Sequence, residues 1–529
     1  MPEQAPADLA WGAFSDDPPW VLERDAISWR DGLAARRAEV RAQAPELTRR
    51  RRLPPGWRVA ETATRLGWAV GGWAARERRR GGAVSREGIS RRLRRAAEHL
   101  GPTYIKLAQI ISSGEGIFPE ELVAEMRRCR DQVPSEPWPV VRACVEEELG
   151  RPLSEVFSRF DRTPLAAASI AQVHAACLRT GEEVVVKVQR PRIEGVVRQD
   201  LRAMSWLAPF LVGRIPVAAL ANPPALVELF AETIVEELDF RLEAENMLDL
   251  AGTLASLGQR TYVIPRPHPD LVTRRVLVME RLRGFAFDDR HGMQAAGVDT
   301  TEVVRTGLVA FLEGALLHGI FHGDLHAGNL FVLPDGRTAL LDFGITGRLS
   351  EPRRLAFLRL MLAATTNDVP GQLVALRELG ALPADADLEA VARDLNLDRP
   401  PVDPTTLSSE ELVHEIQRTV KALLGHGARL PKELMLYVKN MVFLDTAIAT
   451  LAPDLDLLAE LARITTYFAV THGERLGREL GVDPTSVTFD LTGVRASLGV
   501  PADVESFTYA DMRRRQELIQ KRLRSHRSG

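Results

Sequence analysis

The chain has 529 residues, of which 45% are hydrophobic and 26% are charged, so it is long enough to fold around more than one hydrophobic core. A net charge of -3 excludes a general attraction to nucleic acid or anionic lipid, and any such contact needs a local basic patch. Three cysteines are too few and too scattered for a disulfide framework or a zinc site, which favours a reducing compartment.

The chain begins without the basic and apolar regions of a secretory signal. Its most apolar runs carry interrupting charges and fall short of the roughly 20 residues that cross a bilayer. We therefore expect a cytoplasmic protein with no signal peptide and no spanning helix. Peripheral attachment to the inner face of the membrane stays open.

Residues 1–85 are rich in arginine and tryptophan. This composition is typical of helices that dock through tryptophan and keep a solvated arginine face, and also of segments that lie at a membrane surface. We favour docking, and keep contact with a membrane surface as the alternative; a lipid or quinone precursor as partner is implied only by the family resemblance given below. We expect no nucleic-acid partner, and the sequence does not predict an oligomeric state.

Residues 86–160 are predicted to form a helical extension, in which Pro102 restarts a helix after Gly101. Lys106 and Gln109 are three residues apart on that helix and share one face. Only six of the 68 basic residues are lysine, so a lysine inside a motif is expected to need its compact ammonium group. This argument selects Lys106, and also Lys187 further along the chain.

The hydrophobic period changes near residue 161, and residues 161–282 are predicted to form a small antiparallel sheet with inserted helices. An alanine-rich turn separates its first two strands, and further strands are expected at 183–189, 263–265 and 276–279. Lys187 lies among valines of the third strand, so it requires a carboxylate or a phosphate as partner. The residues of the turn are Ala166, Ala167, Ala168 and Ser169.

A continuous helix is expected over residues 223–255. At 100° per residue, Asp239 and Glu243 share one face of it, while Glu237 points well away. Two acidic side chains could therefore serve two different lysines. The polar sequence that begins at Glu280 is interpreted as a hinge between two lobes.

Residues 318–344 contain two half-sites for phosphate and metal. Asp324 and Asn329 are five residues apart, and Asp342 follows in the sequence Asp-Phe-Gly. The turn residues at 334–336 predict a hairpin that brings Asn329 and Asp342 side by side. Phosphoryl transfer needs both a carboxylate that accepts a proton and oxygen ligands for magnesium, and this stretch supplies both.

Together these elements predict an α+β fold: a bilobed, protein-kinase-like fold with a small antiparallel-sheet N-lobe at 161–282, a mostly helical C-lobe at 283–470 and a C-terminal tail at 471–529. The helical extension at 86–160 precedes the two lobes; the family resemblance described next, and not the pattern itself, implies that it lies over the active site. No glycine-rich loop precedes the second strand and no Ala-Pro-Glu follows Asp-Phe-Gly. Phosphorylation of other proteins is therefore disfavoured.

Six motifs resemble those of the UbiB-type, AarF-related atypical kinases, and the resemblance covers residues 86–470. They are LGPTYIKLAQ, PLAAASIAQVHAA, VVVKVQRP, ELDFRLEAEN, FHGDLHAGN and LDFG. In that family the alanine-rich loop replaces the glycine-rich loop, and the lysine-glutamine helix covers the place of a protein substrate. The resemblance thus implies a kinase or ATPase that uses ATP or ADP with Mg²⁺ and supports isoprenoid-quinone or related membrane-lipid metabolism.

The resemblance also implies a role for each candidate residue. Lys187 would pair with Glu243 and bind the nucleotide phosphates, together with the alanine-rich loop and Glu280. Asp324 would be the catalytic carboxylate. The magnesium ligands would be Asn329 and Asp342, and the gating group would be Lys106 and Gln109, held by Glu237 and Asp239. His322 and His326 are expected to brace the loop by hydrogen bonds.

Three positions depart from the family pattern, with Ala108 in place of the usual glycine, and Leu325 and Ala327 in place of prolines. A methyl group at Ala108 is expected to affect how closely its helix approaches the loop. The sequence HGDLHAGN also resembles the aminoglycoside and choline phosphotransferases, so a small-molecule phosphotransferase is one alternative. A nucleotide-binding scaffold without turnover is another.

Overall fold

The structure is a computed structural model of the whole chain. It describes all residues except 1–4, 50–51, 81, 113–118, 130–133, 212–222, 367, 398–410, 412–417, 420–421, 424, 429–430, 484–505 and 529. The helices are α1 Leu33–Thr48, α2 Trp57–Arg76, α3 Gly82–Leu100, α4 Pro102–Ser112, α5 Glu120–Met126, α6 Trp138–Leu149, α7 Leu153–Val156, α8 Ile193–Leu211, α9 Pro223–Ile234, α10 Phe240–Ser256, α11 Arg290–Ala295, α12 Thr300–Glu313, α13 Glu351–Thr365, α14 Val369–Glu378, α15 Leu388–Asp394, α16 Lys432–Leu451, α17 Leu457–Leu480 and α18 Tyr509–Ser528.

The strands form three sheets, and two lobes result. The strands are β1 Phe157–Phe160, β2 Ala166–Ala167, β3 Ala171–Leu178, β4 Glu183–Gln189, β5 Tyr262–Val263, β6 Pro267–Val272, β7 Val276–Glu280, β8 Phe285–Ala286, β9 Ile320–His322, β10 Leu330–Val332, β11 Thr338–Leu340 and β12 Thr346–Arg348. This is the bilobed α+β, kinase-like fold that the sequence predicts.

The N-lobe sheet has the order β1-β3-β4-β7-β6, and β2 pairs with β3. All of its pairs are antiparallel, and Lys187 lies opposite Val173 on one side and Leu277 on the other. Side chains alternate along β4, so Val184, Val186 and Val188 enter the core beneath α6. Lys187 therefore emerges on the other face of the sheet, toward the C-lobe.

Two predicted elements of this lobe are wrong. The helical extension expected over 86–160 is helical only as far as Val156, and its last residues form β1. The strand expected at 263–265 pairs in parallel with β11 of the C-lobe hairpin, while the small sheet is completed by β6, which the sequence analysis missed. Both errors concern edge strands, which are too short to show an alternating pattern.

The C-lobe hairpin forms as predicted. β10 and β11 pair antiparallel with Leu330 opposite Leu340, and their turn contains Gly336 at φ 86°. β8 and β5 extend this sheet on its two edges, and β9 pairs with β12 beside it. Helices α12, α13, α16 and α17 supply most of the remaining C-lobe, and α12 packs against α16.

The helix expected over 223–255 is broken. α9 ends at Ile234, a 3-10 turn occupies Glu236–Leu238, and α10 begins after Asp239. The break has a local cause, because the Asp239 side chain accepts a hydrogen bond from the backbone N-H of Arg241 and caps α10. Asp239 therefore does not share a helical face with Glu243.

The N-terminal segment runs across β6 and the hinge before α1 begins. Trp20 and Trp29 donate their indole N-H groups to the carbonyls of Pro267 and His268. Trp73 is buried within the helical extension, whereas two other tryptophans of this region face solvent. Trp20 and Trp29 therefore dock the segment, whereas Trp57 and Trp68 do not.

A fully buried arginine joins this segment to the hinge. Arg266 forms ion pairs with Asp8 and Glu280 and donates to Ser15. Neither Arg266 nor Asp8 is exposed at all. A buried charge network of this kind holds its parts in one arrangement only while each charge keeps its partner.

We predict that Asp8→Ala lowers the free energy of unfolding by about 3 kcal/mol, because it removes the main counter-charge of a buried guanidinium. Asp16→Ala is the matched control, since Asp16 is 68% exposed in its pair with Arg337 and its loss should cost below about 1 kcal/mol. Urea denaturation of both variants checks this. Equal losses in the two variants would contradict it.

Candidate active site

Lys187 forms a buried ion pair with Glu243, which links the N-lobe sheet to α10. The distance from Lys187 Nζ to Glu243 Oε1 is 2.6 Å, and Lys187 Nζ also lies 3.1 Å from Asp342 Oδ1. Burial lowers the pKa of Lys187, but Asp342 and Glu243 outweigh that effect and raise it, so the lysine stays charged. Burial raises the pKa of Glu243 to about 7, against the opposing attraction of Lys187.

Asp342 is the most accessible acidic group of the cluster. Its side chain is 44% exposed, compared with 17% for Asp324 and 3% for Glu243. Its backbone has φ 56°, the left-handed conformation that aspartate tolerates better than most residues. Burial raises its pKa, but Lys187 and Lys106 outweigh this and hold the pKa below the ordinary range. An ionised, accessible carboxylate in a strained backbone fits a metal ligand.

Asp324 lies on the loop after β9 and forms an ion pair with Lys439 of α16. Burial raises the pKa of Asp324, but Lys439 and Lys106 together hold it well below its ordinary value. The side-chain amide of Asn329 donates to the Asp324 carbonyl at 3.1 Å, which fixes the loop between them. Asp324 is therefore ionised and able to accept a hydrogen bond.

Two histidines brace this loop, as the sequence analysis expects. His322 Nε2 lies 2.8 Å from the carbonyl of Asp342, and Nδ1 accepts from the backbone N-H of Asp324 at 3.2 Å. These contacts place the ring proton on Nε2, and burial lowers the pKa of the ring, so His322 is neutral. His326 Nδ1 accepts from the N-H of Gly328. His322 thus ties the Asp324 half-site to the Asp342 half-site.

The helical extension reaches the same site through α4. Lys106 Nζ lies 3.1 Å from Glu237 Oε1. Burial lowers the pKa of Lys106, but Glu237, Asp324 and Asp342 outweigh it and raise the pKa. Burial also raises the pKa of Glu237, and Lys106 opposes that shift. Gln109 is half-buried on α4, three residues further along. Lys106 of the lysine-glutamine helix therefore lies within the electrostatic reach of the acidic cluster.

Similar proteins identify the chain. Residues 128–373 match the model of the ABC1 atypical kinase-like domain. An uncharacterized aarF domain-containing protein kinase of the Arabidopsis thaliana chloroplast is 34% identical over 70% of this chain and 73% of its own length. This chain belongs to the ABC1 atypical kinase-like family. The resemblance to UbiB- and AarF-type kinases that the motifs indicate is thereby confirmed.

Three further comparisons give the following similarities. An uncharacterized protein of Mycobacterium tuberculosis is 37% identical over 78% of this chain and 83% of its own length. A probable protein kinase UbiB of Marinobacter nauticus is 31% identical over 69% of this chain and 67% of its own. A structure of an erythromycin complex from M. tuberculosis has a TM-score of 0.37 and 22% identity, and covers 62% of this chain and 89% of that one.

The alanine-rich loop of this ABC1 member is a tight, anchored hairpin. Ala166 and Ala167 pair with β3, and the N-H of Ala168 donates to the carbonyl of Ala171. Arg190 donates to the carbonyl of Ala168 at 2.9 Å, and Ser169 is buried. The loop is thus held by backbone pairing and one arginine, without the conformational freedom of glycine.

The side chains of Asp239 and Glu280 have arginine partners that the sequence analysis does not predict. The Asp239 carboxylate accepts from Arg36 at 3.3 Å and from Arg241 at 2.7 Å, away from Lys106. The Glu280 carboxylate is buried and hydrogen-bonded to Arg266 and Ser15. In both cases the nearest arginine, which the sequence does not place, decides the partner.

Ala108 has a different environment from the one expected. Its side chain is 2% exposed and packs with Trp73, Ile105 and Met126 in the core of the helical extension. The methyl group therefore affects packing among the helices, and not the approach of α4 to the alanine-rich loop.

Two residues of α16 belong to the site and were missed. Lys439 pairs with Asp324, and Asn440 accepts from the N-H of Leu325 at 3.1 Å and donates to the carbonyl of His322. The scarcity of lysine selects Lys439 as readily as Lys106 and Lys187, so the signal was present. What the sequence lacked was a motif around Lys439 to connect it with the loop.

The acidic residues fit a magnesium ion that arrives with a nucleotide. Among the residues that the structure describes, no group of three or more His, Cys, Asp or Glu side chains could hold a metal alone. Mg²⁺ usually takes one or two carboxylates and completes its shell with water and substrate phosphates. Asp342 and the amide oxygen of Asn329 supply that partial set, since the Asn329 amide nitrogen is bonded to Asp324.

We predict that Lys439→Met changes the acid sensitivity of the protein. Because the pKa of Asp324 is depressed, this carboxylate contributes stability above its ordinary pKa of about 3.9 and loses it as pH falls further. Without Lys439 the depression shrinks, so stability is lower at neutral pH and falls less steeply below about pH 4.

Denaturation midpoints between pH 7 and pH 3 check this prediction. Lys432→Met on the same helix is the control, because Lys432 contacts only the carbonyl of Glu232, at 3.5 Å, among the hydrogen bonds of the described residues. Curves of the same shape for wild type and Lys439→Met would contradict the assignment.

Proposed function

We propose that this protein is a Mg-ATP-dependent atypical kinase or ATPase that supports isoprenoid-quinone or related membrane-lipid metabolism. The proposal depends on one observation: the carboxylates of Glu243 and Asp342 lie 2.6 and 3.1 Å from the ammonium group of Lys187. An ionised Asp324 belongs to the same cluster of charges. A buried lysine that is already paired, with an accessible carboxylate beside it, is the arrangement that phosphate binding and a metal require.

Each residue would have a separate task. Lys187 would bind the nucleotide phosphates, and Glu243 would hold it in place. Asn329 and Asp342 would hold Mg²⁺, which supplies charge neutralisation at the phosphates when bound. Asp324 would orient the attacking hydroxyl or water and accept its proton. Lys439 would keep Asp324 ionised until substrate arrives.

The acceptor would be a small molecule or water and not a protein. Only residues 345–350 separate the Asp-Phe-Gly sequence from α13, and three of them form β12 against β9. The segment on which kinases bind peptide substrates therefore has little room. Lys106 of α4 lies 3.1 Å from Glu237 beside the acidic cluster and would restrict access to it. Both features support a guarded site.

An exposed aromatic surface supports action at a membrane. Trp57 and Trp68 of α2 are 69% and 79% exposed, and Leu53 just before the helix is 78% exposed. The two tryptophans are eleven residues apart, which is three helical turns, so they lie on one face. Exposed Arg65 lies on the same helix. Tryptophan and arginine on one exposed helix are typical of interfacial binding.

Among the described residues, one helix is long and apolar enough to cross a membrane by length and composition, namely Lys432–Leu451. This is α16, whose Lys439 and Asn440 contact the catalytic loop. Its position in the C-lobe explains its apolar composition, because a helix that packs on several neighbours is apolar on several faces.

We expect Asp342→Asn to lower the rate of Mg-dependent ATP hydrolysis at least about 100-fold, because one ligand charge at the phosphates is lost. The rate is measured with and without anionic liposomes. Asp335→Asn, on the hairpin turn where Asp335 pairs with Arg337, is the control that should keep wild-type turnover. Equal rates for Asp342→Asn and wild type would reject the proposed activity.

The double variant Trp57→Ala with Trp68→Ala should bind anionic vesicles at least about 10-fold more weakly than wild type, because two interfacial side chains are removed. Co-sedimentation with vesicles measures this. Val470→Ala, 81% exposed on α17, serves as a control for loss of apolar surface in general. If the control and the double variant lose the same affinity, α2 is not the membrane contact.

A further inference from the structure

The helical extension contains an apolar cavity that the proposed chemistry does not use. Its volume is about 150 Å³, and α2, α3, α4, α5, α8 and α9 all contribute to its wall. Residues that represent these six helices are Leu66, Leu93, Leu107, Met126, Leu207 and Val227. Apolar side chains normally pack closely against one another, so an apolar pocket of this size between six helices is unusual.

Among the described residues that line it, the wall has no group that could bind a charged or strongly polar ligand. Apart from the methionine sulfur atoms, the polar side-chain atoms of the wall are the hydroxyl groups of Thr62 and Tyr104. These two hydroxyls are hydrogen-bonded to each other at 2.8 Å. A cavity of about this size lined by aliphatic side chains stays dry and accepts a ring such as benzene. The chemistry therefore selects a neutral hydrocarbon group.

One helix separates the cavity from the phosphate site. Tyr104, Leu107, Ala108 and Ile111 of α4 face the cavity, at the spacing of a single helical stripe. Lys106 lies on the opposite side of the same helix, 3.1 Å from Glu237. A group that fills the cavity would contact α4. Because α4 also carries Lys106, a shift of this helix would change the distance between Lys106 and Glu237.

We propose that this cavity is a binding site for a neutral hydrocarbon group, a ring or a short branched chain, and that its occupancy is sensed by Lys106 through α4. The existence of this binding site does not depend on the proposed activity, whereas the effect of its occupancy on nucleotide affinity rests on the proposed function. The group could belong to a soluble small molecule or to the tail of a lipid. Exposed Trp57 and Trp68 lie on the same helix that lends Thr62 and Leu66 to the wall, but on the opposite side of that helix.

Filling the cavity with protein atoms tests the site. Toluene should raise the Tm of the wild-type chain by about 1–2 °C, because it binds only the folded state. In Ala208→Leu and Ala97→Leu, which each add three carbon atoms to the wall, the shift should vanish while the Tm without toluene stays at or above the wild-type value. The site is overturned if toluene raises the Tm of both filled variants as much as that of wild type. It is also overturned if neither toluene nor farnesol, the lipid probe described next, raises the Tm of wild type.

Two further measurements separate the ligand source and the link to Lys106. Phosphatidylcholine vesicles that contain farnesol replace toluene in one arm, and vesicles without farnesol are the blank; a Tm shift with farnesol alone assigns the site to a lipid tail. In wild type, toluene or farnesol should change the affinity for a fluorescent ADP with Mg²⁺ at least about twofold, which is the size of weak allosteric coupling. In Ala208→Leu the affinity should not change. If the nucleotide affinity of wild type does not change, the coupling between the cavity and Lys106 is overturned. If only ATP hydrolysis fails, the Tm shift still supports the binding site, and the proposed function is what fails.

Discussion

Lys187 is the point at which the N-lobe sheet, α10 and the Asp-Phe-Gly loop meet, and the rest of the structure is arranged so that its charge can be buried. Alone among the valines of β4, an ammonium group would be too costly to desolvate. Glu243 at 2.6 Å and Asp342 at 3.1 Å offset that cost. Because each partner comes from a different element, the ion pair also fixes how the two lobes meet.

The break between α9 and α10 distributes three neighbouring acids to three different tasks. Glu236 pairs with Arg41 of α1, Glu237 with Lys106 of α4, and Asp239 with Arg36 of α1 while it caps α10. An unbroken helix would point Asp239 and Glu243 to one side and crowd like charges near Lys187. The arginines of α1 thereby stabilise the break, and the break leaves Glu237 to position the lysine of α4. The N-terminal helices are thus structurally connected to the charge at the site.

The elements that carry motifs can be predicted from the sequence. The partner of a side chain cannot be predicted where that partner is distant in the sequence. The order of Lys187, Glu243, Asp324, Asn329 and Asp342 with their spacings was enough for the fold and for the position of the hairpin. The strands β1, β5 and β6 were misplaced because short edge strands lack periodicity. The partners of Asp239 and Glu280 could not be predicted, since Arg36 and Arg266 reach them only through tertiary packing. Lys439 stood out by composition, but nothing local connected it with Asp324.

The buried cluster of Asp8, Ser15, Arg266 and Glu280 also has a consequence for how the chain reaches its native state. Asp8 and Arg266 are 258 residues apart, and Ser15 and Glu280 are 265 apart. Contacts of such long range form late and slow the search for the native topology. During synthesis, Asp8 and Ser15 leave the ribosome long before Arg266 and Glu280, which are their partners in the cluster. The contacts between the N-terminal segment and this part of the N-lobe can therefore form only after β7 has been made.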